Sequence, residues 1–210
     1  MRQVLNGIMT NIKVEAAPLN GAYVLTPQVF GDERGYFYEV FHKEKFEGVG
    51  LNVEFVQDNL SYSQKGILRG LHAQWNPHQG KLVRAVKGIV FDVIVDVKRG
   101  SPTFGQWFGV ELSDKNHQML WLPAGFAHGF TVTSDDAIVE YKCTGLYNPS
   151  CEASIAYNDP EIGIKWPLTE VQLSGKDQNG MMLKKFSETP EFKLFNDTLP
   201  TAPVLNANTN

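Results

Sequence analysis

Between Gly70 and Lys81 the chain reads GLHAQWNPHQGK, two histidines, a tryptophan and a lysine within twelve residues. Imidazole serves two chemistries well, metal ligation and proton transfer near neutral pH. The second needs a carboxylate to orient the ring, a cation to stabilise developing negative charge, and another proton donor. All three types are at hand. Arg69 and Lys81 flank His72, Asp58 and Asp92 are nearby in sequence, and Tyr141 sits in the apolar run AIVEYKC. Singly, each has an ordinary explanation, since a tyrosine in a strand is usually core and a lysine or arginine usually a solvated tip. Only the combination points to acid–base work.

The metal reading would take His72, His78 and His128 from the five histidines. PAGFAH, ending at His128, fits the Pro-x-Gly-x-x-His pattern of the second cupin motif, and cupins often bind metal. The first cupin motif supplies His-x-His and a downstream Glu, whereas His72 is followed by Ala73, Gln74 and Trp75. The ligand set is incomplete, so no metal is expected.

The elements that must position these groups are strands. Runs rich in β-branched and aromatic residues recur between Gly, Pro, Asn and Asp: YVLTPQVF, YFYEVF, VEFVQ, KLVRAV, IVFDVIVDV, WFGVEL, MLWLP, HGFTV and AIVEYK. This predicts an all-β sandwich or barrel, with a short helix around Lys43 to Glu47. Lys87-Gly88 could turn one run directly into the next. From Ile89 to Val97 the odd positions are all apolar, giving a core face, while Asp92 and Asp96 mark a face toward a polar cavity or solvent. Strict alternation would send Arg69 and His72 to opposite faces, and a bulge at Gly70 would reunite them.

The 210 residues suit a single domain. Its core is expected over about 22–183, with an N-terminal extension and a polar, Pro-containing tail over 184–210 that either frays or lies across a partner subunit. With 42% hydrophobic and 20% charged residues the chain reads as an ordinary folded protein, and a net charge of -4 leaves no basic footprint for nucleic acid. The N-terminus is too polar for a signal peptide and no apolar run approaches membrane-spanning length, so a cytoplasmic protein is expected. Cys143 and Cys151 lack metal-ligand spacing and would be thiols in a reducing compartment.

Taken in order, FGDERGYFYEVF, FVQDNLSYSQKGILRGLH, QGKLVRAVKGIVFDVIVD, SPTFGQW, LWLPAGFAHGF and NDPEIGIKWP strongly resemble the dTDP-4-dehydrorhamnose 3,5-epimerase family, from about Ala22 to Asp177. The resemblance implies a cupin-type jelly roll with a few short helices, usually a homodimer, acting on a dTDP-linked 4-keto-6-deoxy sugar without metal or redox cofactor. It implies His72 as general base, Asp177 as its carboxylate partner, Tyr141 as proton donor on the opposite face and Lys81 as enolate stabiliser. Phe30, Arg34, Phe37 and Glu39 match a substrate-contacting segment that the family contributes across the dimer. Gln57, Asn59, Arg69 and His128 match polar positions along the sugar and diphosphate.

Ala73 and Tyr157 depart from the family pattern without removing a catalytic group. The competing readings are an epimerase of one carbon only, a non-catalytic sugar-nucleotide binder and a metal-dependent cupin. The binder would be expected to lose His72 or Tyr141, and both are present.

Overall fold

A computed structural model describes residues 3–5, 8–196 and 199–206, with the side chains of residues 3–5 and 8–10 left aside. The short strands in chain order are β1 (Gln3–Leu5), β2 (Ile8–Thr10), β3 (Ile12–Ala16), β4 (Tyr23–Pro27), β5 (Phe30–Asp32) and β6 (Gly35–Phe37), followed by helix α1 (Lys43–Gly48). There follow β7 (Gln57–Gln64), β8 (Leu68–Gln74), β9 (Lys81–Lys87), β10 (Ile89–Asp96), β11 (Trp107–Ser113), β12 (Met119–Leu122), β13 (Phe126–Val132), β14 (Asp136–Cys143) and β15 (Glu152–Ser154). Two short helices, α2 (Gly175–Gln178) and α3 (Leu183–Ser187), come last.

Two antiparallel sheets face each other, one ordered β11-β10-β13-β8-β15 and the other β3-β4-β12-β9-β14-β7. Between them Val83, Ala85, Leu120, Ala137 and Val139 of the six-stranded sheet meet Val90, Ile94, Leu112, Phe126, Phe130 and Val132 of the five-stranded one. This is the jelly-roll arrangement expected of alternating strands, with an apolar interior filled from both faces.

The outer faces are covered as well. Leu71, Ala73, Val93, Val95, Ala127 and Ala153 pack outside the five-stranded sheet against Leu183, Phe186 and Phe195. Val14, Leu25, Leu82, Met119 and Trp121 pack outside the six-stranded sheet against Phe46, Val49, Leu51 and Leu205. Double coverage explains why β12 and β13 read as continuous apolar runs rather than alternating ones, every residue of both being buried.

The expected alternation along β10 is present, but both of its faces are interior. Val93 and Val95 belong to the outer cluster, while Val90 and Ile94 join the inter-sheet core on the side where Asp92 lies. Asp92 and Asp96 are fully buried, so the carboxylate face is not a solvent face. Asp96 is neutralised locally, accepting from the Ser101 and Thr103 hydroxyls at 2.6 Å each and pairing with Lys98 at 3.2 Å.

Lys87-Gly88 does not close a hairpin. β9 and β10 lie in different sheets, and Gly88 carries the chain between them with φ +76° in a place where a Cβ would stand 2.1 Å from the Asp136 carbonyl oxygen. The tail also differs from expectation. Phe186, Phe195 and Leu205 are buried against the protein's own chain, because the outer faces of both sheets offer apolar surface that the tail's spaced hydrophobics can cover.

Candidate active site

The interior is apolar at one end and polar at the other. The polar end is built where β8 finishes, β9 begins and β14 finishes, which brings His72, Lys81, Tyr141 and Cys143 within a few residues of strand ends. His72 lies on the five-stranded sheet and Lys81 and Tyr141 on the six-stranded one. The Lys81 ammonium stands 5.6 Å from the Tyr141 ring centroid, and the Tyr141 ring is 6.5 Å from that of His128, the cross-strand partner of His72. His72 and Tyr141 therefore belong to opposite sheets and both neighbour His128.

The geometry of β8 depends on a bulge. Against β13 the register runs His72 to His128, then Arg69 to Phe130, so three steps on β8 match two on β13. Gly70 makes this possible: its φ is +119°, and a Cβ there would come within 2.6 Å of both Gly129 Cα and the His128 oxygen. Arg69 consequently turns inward with His72 and donates to the Ser63 hydroxyl at 3.0 Å, lying exposed at the rim.

His72 is held by Asp177, which arrives on α2 after the capping residue Ser174. His72 Nε2 and Asp177 Oδ1 are 2.6 Å apart, and the carboxylate is almost fully buried. Burial alone would raise the Asp177 carboxyl. The hydrogen bond and charge of His72, helped by Ser174 and the Gly70 backbone, outweigh it and hold the carboxyl below its usual range. With Asp177 ionised, a proton on Nε2 is donated to the carboxylate and Nδ1 keeps its lone pair.

Around this pair, burial pushes the Lys81 ammonium below the usual lysine range, outweighing the opposite influence of the nearby Cys143, Glu152 and Asp92. Burial raises the Tyr141 phenol, which keeps its proton at neutral pH. His128 is buried and its Nε2 lies 3.0 Å from each Asp92 oxygen, while burial lowers its pKa below the usual imidazole value. Asp92 thus partners His128 and not His72, and Asp58 pairs with Lys142 at 2.8 Å. Of the three carboxylates considered from sequence, Asp177 is the one at His72.

Gln57 and Asn59 line β7 beside Tyr141, joined by a 2.9 Å hydrogen bond, and Asn59 donates to the Cys143 sulfur at 3.5 Å. Phe30, Arg34, Phe37 and Glu39 are not brought to His72. Phe30, Arg34 and Phe37 lie on or in the turn of the exposed β5–β6 hairpin, Arg34 pairing with its neighbour Asp32 at 2.5 Å; Glu39 pairs with Lys45. His78 also stands apart, its ring 6.1 Å from that of Phe195. Among the described residues no group of three His, Cys, Asp or Glu side chains is placed to hold a metal ion.

Glu152 was not singled out from sequence. One of its oxygens lies 3.8 Å from His72 Nδ1, and the carboxylate accepts from the Tyr147 hydroxyl at 3.1 Å and pairs with Lys176. Alternation in CEASIAY carried a signal: Ala153 and Ile155 face the outer cluster, so Glu152 and Ser154 point to the opposite face, the one that carries His72.

A family model described as dTDP-4-dehydrorhamnose 3,5-epimerase matches residues 16–185. The dTDP-4-dehydrorhamnose 3,5-epimerase of Methanothermobacter thermautotrophicus is 48% identical over 180 residues, which cover 84% of this chain and 97% of that protein. The enzyme of the same name from Pseudomonas aeruginosa is 54% identical over 73% of this chain and 86% of its own. Among solved structures, a Legionella pneumophila dTDP-6-deoxy-D-glucose-3,5-epimerase in complex with dTDP-4-keto-L-rhamnose superposes with a TM-score of 0.80 at 49% identity, covering 82% of this chain and 93% of that one.

Proposed function

The chain belongs to the dTDP-4-dehydrorhamnose 3,5-epimerase family and is an isomerase of that reaction, and we propose that His72, Asp177, Lys81 and Tyr141 carry it out. The substrate is dTDP-4-keto-6-deoxyglucose, inverted at carbons 3 and 5 to dTDP-4-keto-L-rhamnose. Hydrogens on the carbons beside the C4 ketone are acidic only because the carbanion delocalises onto the ketone oxygen. His72 Nδ1 takes the proton, and Asp177 stabilises the imidazolium that results. The Lys81 ammonium, set in a site that weakens its hydration, binds the enolate oxygen. Tyr141 delivers a proton to the other face of the ring and recovers one from water, while His72 releases its own to solvent. The sequence occurs once at each carbon.

One observation carries this reading. The imidazole held by Asp177 and the phenol beside Lys81 belong to opposite sheets and both neighbour His128, an arrangement suited to inversion at carbon. Gln57, Asn59, Arg69 and His128 would hold the sugar and diphosphate, Arg69 through the paired hydrogen bonds a guanidinium makes to phosphate.

The same reading includes a homodimer. The exposure of Phe30 (52%), Tyr36 (59%) and Phe37 (66%) on a two-stranded hairpin supports it, because these rings, with Arg34 and Glu39, would complete a partner's site. A cytoplasmic location accords with the two free thiols, and no described helix is long and apolar enough to cross a membrane.

The test is turnover of dTDP-4-keto-6-deoxyglucose in deuterated water with product identification by NMR. Deuterium at both C3 and C5 of an inverted sugar is expected. Label at one carbon would replace the assignment with a single-carbon epimerase, and no exchange at all would overturn it. A purely monomeric mass by light scattering in an active sample would remove the dimer.

A further inference from the structure

The family match stops at residue 185, yet the described chain extends as far as Asn206. Phe195 is fully buried near the middle of this segment, its carbonyl accepting from the Arg99 amide at 2.6 Å. Its ring lies 5.6 Å from Phe186 and 6.1 Å from His78. Phe186, Phe195 and Leu199 belong to the cluster outside the five-stranded sheet, whereas Leu205 belongs to the one outside the six-stranded sheet, and the Asn206 amide donates to the Val49 carbonyl at 2.9 Å. One segment thus touches both outer layers.

His78 gives this path its consequence. It sits in the connection from Gln74 to Lys81, which joins β8 of one sheet to β9 of the other. His72 and Lys81 share no ladder of hydrogen bonds, and at this end the Arg69–Ser63 hydrogen bond of 3.0 Å and this connection both cross from sheet to sheet. The connection is one of the ties that hold His72 and Lys81 at their spacing. From the β14 side it is held by Gly80 and Thr144, which exchange hydrogen bonds of 2.8 and 3.0 Å, and by Gln79 donating to the Gly145 oxygen at 2.8 Å. Gln74 binds the Pro77 oxygen at 2.6 Å. The His78 ring in turn stands 6.1 Å from the Phe195 ring.

We propose that the segment following α3, through Phe195 and Leu199 to Leu205, forms a strap that sets the distance between the two sheets at the catalytic end, with Phe195 as a positioning residue acting on Lys81 through the His78-bearing connection. The strap does not touch the reacting atoms. Its contribution is to hold the His78-bearing connection in place, and with it the separation of His72 from Lys81.

The inference rests on the site assignment above, and the two fail separately. His72→Ala retaining rapid exchange would sink the assignment, whereas the strap is read in Phe195→Ala and Phe195→Leu of the full chain. Each is compared with Leu112→Ala, a buried deletion on β11 in the inter-sheet core, a cluster that holds no residue of the strap. Well below Tm, Phe195→Ala should lower kcat about tenfold with KM nearly unchanged, since small misplacement of a catalytic group is costly. Phe195→Leu should lose less, and Leu112→Ala should keep its kcat while losing Tm. Should Phe195→Ala fail to fold, Phe195→Leu gives the reading. Wild-type kcat in the Phe195 variants, or an equal kcat loss in Leu112→Ala, would overturn the strap.

Discussion

Replacing Asp177 by Asn tests the proton path with little change of volume. The carboxylate is 4% exposed and 2.6 Å from His72 Nε2, so the contact is a desolvated, charge-assisted hydrogen bond. Such bonds contribute about 1.5–3 kcal/mol, and this one strengthens as His72 gains its proton. Taking the upper half of that range, about 2–3 kcal/mol appears in the barrier, or about 30- to 150-fold in kcat. The amide adds a second penalty when its NH2 group donates to Nε2, because the ring proton then moves to Nδ1 and the base is blocked.

The assay is loss of the C3 and C5 proton signals of the substrate in deuterated water, followed by NMR alongside product formation. Both rates should fall together, since deprotonation is the affected step. An Asp177→Asn enzyme within threefold of wild type in exchange rate would refute the role of this carboxylate. Stability supplies a second reading. Asp177 titrates in the folded state below its unfolded value of about 3.9, so its ionisation stabilises the fold above that pH and the benefit is lost as pH falls through the lower folded value. The Tm difference between wild type and Asp177→Asn should therefore shrink as the pH is lowered from about 5 to about 3.

Tyr141→Phe should depress epimerised product more than exchange, and deuterium in unepimerised substrate would report proton return from the original face; normal epimerisation would exclude Tyr141 as donor. Because burial lowers the Lys81 pKa and the cation is the active form, the alkaline limb of kcat should fall below the pH of an ordinary lysine. In Lys81→Met that limb should disappear and kcat drop about 10²-fold, and an unchanged pH profile would argue against the assignment. Gly70→Ala should cost more than about 1 kcal/mol, lowering both Tm and kcat, because the added Cβ meets Gly129 Cα and the His128 oxygen at 2.6 Å; a calorimetric Tm equal to wild type would show that the bulge tolerates a side chain.

Much is legible in local pattern. The spacing of β-branched runs establishes strands because side-chain period is local, and Lys43 to Glu47 announces helix α1. The parity conflict between Arg69 and His72 points to Gly70 from the sequence alone, since a glycine at a break in alternation leaves few alternatives, and the register shift between β8 and β13 falls there. Family motifs point to the side chains proposed as catalytic, though not to which oxygen meets which nitrogen.

Other features depend on contacts between distant segments. That β10 is buried on both faces follows from α3 and the tail packing outside its sheet. Asp92 alternates correctly for a cavity, but its partner is His128, thirty-six residues away and aligned only by the β10–β13 register. Asp177 reaches His72 across 105 residues through a four-residue helix with no periodic signature. The tail reads as polar because its hydrophobics are widely spaced, and only the exposed outer faces of two sheets give Phe195 and Leu205 somewhere to go. Local sequence determines which way a side chain points along its own strand; what it meets there is decided by strand order and register, which are properties of the whole chain.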